Sequence, residues 1–579
     1  MNPEITGVIL TFLLTLLLAI PLGSYISKVY AGNHVWTDKI FNPVERLFFR
    51  LSRINPLREM TWQEHMVAML TINLVWFIWT LFVLINQGWL PLNPDRIPSM
   101  SADLAFNTAI SFVVNCNLQH YSGETGVSYF SQVFALMFLQ FVSAATGMAA
   151  AAVVFNALKD RIAFKLGNFY VYFLKSITRI LLPLCLVVAT IQVFSGTPMT
   201  FKGKDTITTL QDDTVQVSRG PVAAFVAIKH LGTNGGGFFG ANSAHPLENP
   251  GYLTNMTQLV AQCIIPFAMI FALGHYLKRK KFAWMIWGVM TAGFLLLVIP
   301  NITMETAGNP ALSAMGIAQP GGSMEGKEVR FGAASSGYWS IATTVISTGS
   351  VNAMHDSTMP LSGLNEMLAM MINCFYGGCG VGILNFFIFI ILAVFIAGLM
   401  VGRTPEFLGK KVEAKEMKIA MIIALLHPLL ILTGTALSAW LAAHDTNMGW
   451  WYADAAGKGL PASQWLNNTG YHGYSEMLYE YTSASANNGS GFEGLGDNNP
   501  FWNITTGIVL LLSRYLPIIG PVAIAGLLAQ KKYIPEGTGT LKTDTATFGI
   551  VIFTVIVIVA ALAFFPALVL GPISEYLSR

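Results

Sequence analysis

Ten apolar stretches, each long enough to cross a hydrocarbon core, constrain this chain more than any other feature. A core about 30 Å thick needs about 20 helical residues. Suitable runs fall near residues 4–26, 62–88, 126–157, 168–195, 253–277, 281–301, 363–402, 416–442, 500–529 and 545–575. Composition agrees: 54% of the 579 residues are hydrophobic and 11% are Asp, Glu, Lys or Arg, against roughly 25% charged residues in soluble domains. That balance excludes an ordinary cytosolic enzyme. The net charge of +3 is scattered along the chain, which excludes the concentrated basic face of a nucleic-acid binder. The five cysteines (Cys116, Cys185, Cys263, Cys374, Cys379) form no C-x-x-C pair, so neither a disulfide framework nor a zinc site is expected. The first run lacks a basic leader and a small-residue cleavage site, and is read as a retained membrane helix.

Short cytoplasmic loops collect Lys and Arg. Basic clusters follow span one (Lys28, Lys39, Arg46, Arg50, Arg53, Arg58), span three (Lys159, Arg161, Lys165), span five (Lys278, Arg279, Lys280, Lys281), span seven (Arg403, Lys410, Lys411) and span nine (Lys531, Lys532). This alternation places both termini on the outer, periplasmic or extracellular side. The four long outer connections then contain one kind of segment each: AFNTAISFVVNCNLQHYSGE (105–124), AFVAIKHLGTNGGGFFGANSAHPLENP (224–250), YWSIATTVISTGSVNAMHDS (338–357) and YSEMLYEYTSASANNGSGFEGLG (474–496).

Each segment opens with about three turns of semi-apolar helix, too short to span, and reaches a small polar tripeptide. These are Asn115-Cys116-Asn117, Thr233-Asn234-Gly235, Ser347-Thr348-Gly349 and Asn487-Asn488-Gly489. Their third residues are 118, 114 and 140 positions apart, the last gap being widened by an insertion at 445–471 that carries Trp450, Trp451 and Trp465. The insertion reads as a surface loop with interfacial aromatics. The expected fold is an all-α polytopic membrane protein. Four helix, pore-loop, helix repeats stand in pseudo-fourfold arrangement, with one extra transmembrane helix at each end. The boundaries are 1–61 (first helix and cytoplasmic loop), 62–160, 161–280, 281–415 and 416–532 (repeats one to four) and 533–579 (last helix).

Removing water from a small cation in a low-dielectric medium costs on the order of tens of kcal/mol, so a pore must offer replacement oxygens. Backbone carbonyls from four loops do this in K⁺-selective filters, and irregular backbone at membrane depth is tolerated where it lines such a path. Gly235, Gly349 and Gly489 permit positive φ at the third position, and Asn117 is a residue type that visits the left-handed region readily. The short helices would aim their negative C-terminal ends at the cation. A single such tripeptide reads more readily as a polar turn between spans; four in equivalent positions read as a filter.

The motifs GTNGGGFFGANSAHPLENP, VNAMHDS, SANNGSGFEGL and GRTPEFLGKK resemble those of the potassium-binding A subunits of bacterial Kdp potassium-transporting ATPases, and the resemblance covers essentially the whole chain. It implies a pore fold shared with Trk and Ktr channels. It also implies assembly with a P-type ATPase catalytic subunit, a single-span accessory subunit and a small membrane peptide in the bacterial inner membrane. It implies a K⁺ filter at Asn115, Cys116, Asn117, Thr233, Asn234, Gly235, Ser347, Thr348, Gly349, Asn487, Asn488 and Gly489. Cys116 and Thr348 depart from the family in side chain, at positions where the main-chain oxygen matters more.

Span seven is interrupted by Tyr376-Gly377-Gly378-Cys379-Gly380-Val381-Gly382. Broken helices mark ion paths or gates; close packing by small residues is the alternative. The resemblance puts this break beneath the filter, with Gly377, Gly378, Gly380 and Gly382 on the ion path. Arg514, mid-span, reads as a residue that restrains ion passage or holds the pore together, or as half of an ion pair. Lys175 and Arg179 read as snorkelling anchors. Glu124, Glu248, Asp356 and Glu493 follow the four tripeptides and would either gather cations at the mouth or cap helices. His120, His245 and His355 match no metal-ligand spacing, so K⁺ is the one metal expected. There is no G-x-x-x-x-G-K-[ST] loop, no Asp-Lys-Thr-Gly stretch and no sizeable cytoplasmic domain, so the chain is expected to bind no ATP and to carry no catalytic residue. The leading reading is the K⁺-binding subunit of an ATP-driven uptake complex, and the second is a free-standing Trk-like or Ktr-like channel or symporter.

Overall fold

The computed structural model describes residues 3–402, 404–535 and 542–578; Arg403, counted above among the basic residues, lies outside them. Among the described residues ten helices are long and apolar enough to cross a membrane: Pro3–Tyr30, Trp62–Trp89, Tyr129–Lys159, Phe169–Phe194, Tyr252–Tyr276, Lys280–Ala314, Val381–Met400, Ala414–Ala443, Pro500–Ala529 and Ala546–Leu577. They match the ten apolar runs in order. The seventh differs in form: the run at 363–402 is two helices, Pro360–Ile372 and Val381–Val401, joined by a non-helical loop.

Spans two to nine alternate between more exposed and more buried helices. In their apolar windows spans two, four, six and eight are 33%, 33%, 56% and 22% buried, whereas their successors, spans three, five, seven and nine, are 89%, 83%, 61% and 67% buried. The sequence explains the inner set. Span three carries an unbroken run of small or buried residues from Ala144 to Val154, which lets backbones approach closely where lipid offers no hydrophobic drive for association. Span one lies along span five. At Gly23 an added Cβ would fall 2.6 Å from the Ala268 carbonyl oxygen, so only glycine permits that approach.

Between spans two and three, four and five, six and seven, and eight and nine stand four shorter helices, Ala102–Val113, Val222–Leu231, Gly332–Ile346 and Gly470–Ala486. These are the four half-length helices expected from sequence, here called pore helices one to four. Among the described residues, apart from isolated bridges, strand structure is confined to two small hairpins, Asp205–Thr208 with Thr214–Val217 and Glu406–Phe407 with Lys410–Lys411.

Two expectations are corrected. Trp465 is not an interfacial aromatic: it is buried, stacked on Phe501 and edge-on to Trp502, whereas Trp450 is exposed beside Trp451. Arg179 is not a snorkelling anchor. It is 5% exposed and donates to both Glu45 carboxylate oxygens (2.7 Å each), to Asn42 Oδ1 (2.7 Å) and to Asp38. Those partners sit on an amphipathic helix, Asp38–Leu51, that exposes Ile40, Val44, Leu47 and Leu51, a pattern suited to the membrane interface. Periodicity cannot reveal this pair, because its members are more than 130 positions apart.

Removing one partner of a buried ion pair leaves an uncompensated charge, at about 3–5 kcal/mol. Arg179→Leu should therefore lower the thermal midpoint of the solubilised protein markedly. The double variant Arg179→Leu/Glu45→Leu should recover much of the loss in the same melting experiment.

Candidate functional site

Each pore helix runs straight into its tripeptide. Left-handed backbone begins there: φ is 66° at Asn115, 49° at Thr233, 56° at Ser347 and 52° at Asn487. It recurs at the third residue, with φ of 58° at Asn117, 89° at Gly235, 82° at Gly349 and 104° at Gly489. The middle residue is not left-handed in any loop. A left-handed residue reverses the local turn, so successive carbonyls need not alternate as they do in a strand. The third position was legible from Gly and Asn. The first was not, because Thr and Ser seldom adopt positive φ.

The third-position glycines show that the four loops share an axis. A Cβ on Gly235 would fall 1.9 Å from Thr348 O, one on Gly349 2.1 Å from Asn488 O, and one on Gly489 2.0 Å from Cys116 O. Loop two thus touches loop three, three touches four, and four touches one. The circle closes through Gly236, whose Cβ would lie 2.7 Å from Asn117 Cβ.

Side chains anchor the loops from outside. Asn488 Nδ2 donates to Thr343 O (2.8 Å) and its Oδ1 accepts from Ser490. Asn234 Nδ2 donates to Asn115 Oδ1 (2.6 Å) and Ser143 Oγ (3.0 Å), while Asn115 Nδ2 donates to Thr233 O (2.8 Å). Asn242, which the sequence reading passed over, donates to Gly235 O (2.7 Å) and accepts from Lys229. Asn117 is 1% exposed, yet its amide nitrogen and oxygen have no protein partner, which leaves the nitrogen to donate to water and the oxygen to accept from water or face a cation.

The break in span seven packs against these loops. Cys379 N–H donates to Thr233 Oγ1 (2.9 Å), Ser347 Oγ to Asn373 Oδ1 (2.8 Å), and Asn373 Nδ2 to Ala486 O (3.2 Å). Positive φ at Asn373, Tyr376, Gly377, Gly378 and Gly380 gives the loop its shape. Gly380 has no room for a side chain, since its Cβ would fall 2.3 Å from Gly147 O. The glycine run therefore makes a true break in the helix, with close packing as a consequence. Gly382 lies in the first turn of the second half-helix, where a Cβ would lie 1.7 Å from Tyr376 O.

Arg514 is buried next to this loop, donates to Ser143 O (3.2 Å) and lies 3.3 Å from the Cβ position of Gly147. Among the described residues it pairs with no carboxylate. The acids after the tripeptides brace loops. Glu248, fully buried, pairs with Lys229 and accepts from Phe238 and Phe239 N–H; Glu124 accepts from Gly240 N–H (2.8 Å); Glu493 accepts from Asp356 N–H (3.2 Å). His120 contacts Asn503 Oδ1 (2.7 Å) and Glu480 Oε1 (3.1 Å). Burial opposes its charge, but Asp497 and Glu480 raise its pKa to about 9. His245 stacks on Phe239, and His355 meets the Tyr479 hydroxyl at 2.8 Å.

Comparison with known proteins adds to this geometry. The sequence profile described as potassium-transporting ATPase A subunit matches residues 9–577. A potassium-transporting ATPase potassium-binding subunit of Flavobacterium psychrophilum is 70% identical over 576 residues, covering 100% of this chain and 99% of that protein. Proteins of the same description from Bacteroides thetaiotaomicron (57% over 578 residues, 100% of each chain) and Geobacillus kaustophilus (45% over 569 residues, 98% of each) are also similar. Among solved structures, the potassium transporter TrkH from Vibrio parahaemolyticus superposes with a TM-score of 0.51 at 14% identity, covering 90% of this chain and 98% of that one. That likeness concerns the fold alone.

The close approach of the loops yields a graded test. Gly235→Asp and the milder Gly349→Ala should each lower cation affinity by at least tenfold, about 1.4 kcal/mol or more, with assembly intact. Asn117→Gly, which adds no atoms, should change it far less. Isothermal titration of the purified variants with K⁺ reads the difference.

Proposed function

The chain belongs to the potassium-transporting ATPase A subunit family, and on that premise we propose that it binds K⁺ from the outer side in the four-loop filter and passes it inward as the non-hydrolytic, potassium-binding subunit of an ATP-driven uptake complex. One observation carries this reading above the rest: the cyclic approach of Gly235, Gly349 and Gly489 to the middle-residue carbonyls of their neighbours. Carbonyls so placed replace the hydration shell of a monovalent cation without the tight hold of carboxylates.

In this reading the twelve tripeptide residues form the filter, and the division into four pore repeats at 62–160, 161–280, 281–415 and 416–532 follows from it. Gly377, Gly378, Gly380 and Gly382 shape the path beneath. Arg514 places a positive charge beside that path, which opposes free leakage of cations past the filter. Energy comes from a P-type ATPase partner, with a single-span subunit and a small membrane peptide completing the assembly. This chain binds K⁺ and no ATP. The location is the bacterial inner membrane with both termini periplasmic, in keeping with the basic residues of the opposite loops.

Purification of the tagged chain from its native host should bring down a partner of P-type ATPase size. The preparation should hydrolyse ATP faster when K⁺ is added. Recovery of the chain alone, conducting K⁺ in liposomes without nucleotide, would contradict the proposal and support a free-standing channel.

A further inference from the structure

A second cluster of polar side chains lies away from the filter, where the start of pore helix four meets the segment after the third tripeptide and the C-terminal end of span ten. His472 and Glu476 stand four residues apart on one face of pore helix four, the spacing at which two helical side chains can grip one ion. Asp356 joins them from the chain after loop three, and one ligand atom from each of the three falls within 4.8 Å of the others.

Three observations go beyond a simple gathering of acids. Glu476 is fully buried, and while its Oε1 accepts from Asn468 N–H (3.2 Å) and Nδ2 (2.9 Å), its Oε2 has no partner. A buried carboxylate oxygen left unmatched is costly. Residue 494 is glycine, and a Cβ there would lie 2.6 Å from Glu476 Oε1 and 2.8 Å from Asp356 Oδ2, so the missing side chain is what lets both carboxylates converge on this point. Finally, His472 is oriented on both sides: Nδ1 faces Glu575 Oε2 at 3.1 Å, Nε2 faces Asp356 Oδ1 at 3.0 Å, and the ring stacks on Phe492. A carboxylate on the far ring nitrogen is the outer support that metal-binding imidazoles commonly have. Among the described residues no Lys or Arg pairs with Asp356 or Glu476.

We propose that His472 Nε2, Asp356 and Glu476 form a binding site for a divalent transition metal, Zn²⁺ foremost, with Glu575 orienting the imidazole. One nitrogen and two carboxylate ligands suit Zn²⁺, with water at the remaining position. The metal takes the place of any proton on Nε2 and neutralises two buried carboxylates. It fastens the start of pore helix four to the segment leaving loop three and to the end of the chain. The spacing is invisible to a motif search because Asp356 is 116 positions from His472.

The test uses the intact complex, stripped with a chelator and titrated with Zn²⁺ against a chromogenic zinc indicator. The proposal expects one saturable site per chain, weakened at least about tenfold by His472→Gln or Glu476→Gln, and by about tenfold in Glu575→Gln. Zinc-edge X-ray absorption of the wild type should show nitrogen and oxygen ligands without sulfur, a readout that needs no variant to fold. Absence of saturable binding, binding unchanged in both ligand variants, or sulfur in the zinc shell would overturn it.

Discussion

The architecture depends on the cost of dehydrating a cation inside a membrane. Tens of kcal/mol must be offset by oxygens at the right places, and side-chain carboxylates would hold the ion too tightly for passage. Main-chain carbonyls avoid this, but only if the backbone turns them inward. Here that requires left-handed residues at both ends of all four tripeptides. Outside glycine such a residue costs on the order of 1–2 kcal/mol, and Thr233 at φ of 49° is β-branched as well. Strain of this kind persists where the surroundings over-determine it.

The surroundings here are specific. Thr233 is held by the Cys379 N–H, Ser347 is tied to Asn373, and Asn487 donates to Ser513 Oγ at 3.1 Å. Two of these three restraints come from the break in span seven. The broken helix thus braces two of the four tripeptides, so movement in that loop would be felt at them; on the proposed function it is a scaffold for the filter. Arg514, donating to Ser143 O while Ser143 Oγ reaches Asn115 Oδ1 (2.9 Å), ties span nine to the same network.

Much of this was legible in the sequence for physical reasons. Membrane spans announce themselves because every backbone polar group must be satisfied within a helix, and the glycine run in span seven marks a helix that cannot continue. The four tripeptides were found because they recur, with Gly235, Gly349 and Gly489 carrying the signal. What stayed hidden was long-range. Thr233 and Ser347 give no local sign of positive φ, Trp465 looks interfacial until Phe501 and Trp502 cover it, and Arg179 looks like an anchor until Glu45 arrives from another segment. Asn117 with its unpartnered amide, and Asn242 with its bond to Gly235 O, gain meaning only once the loops meet.

The central claim is that a cation sits on the axis encircled by the four tripeptides. Crystals of the intact complex soaked with Tl⁺, a heavy substitute for K⁺, would test it by anomalous scattering. The account predicts at least one strong peak on that axis, within coordinating distance of main-chain oxygens from all four loops. Peaks found only elsewhere, with the space between the loops empty, would contradict it.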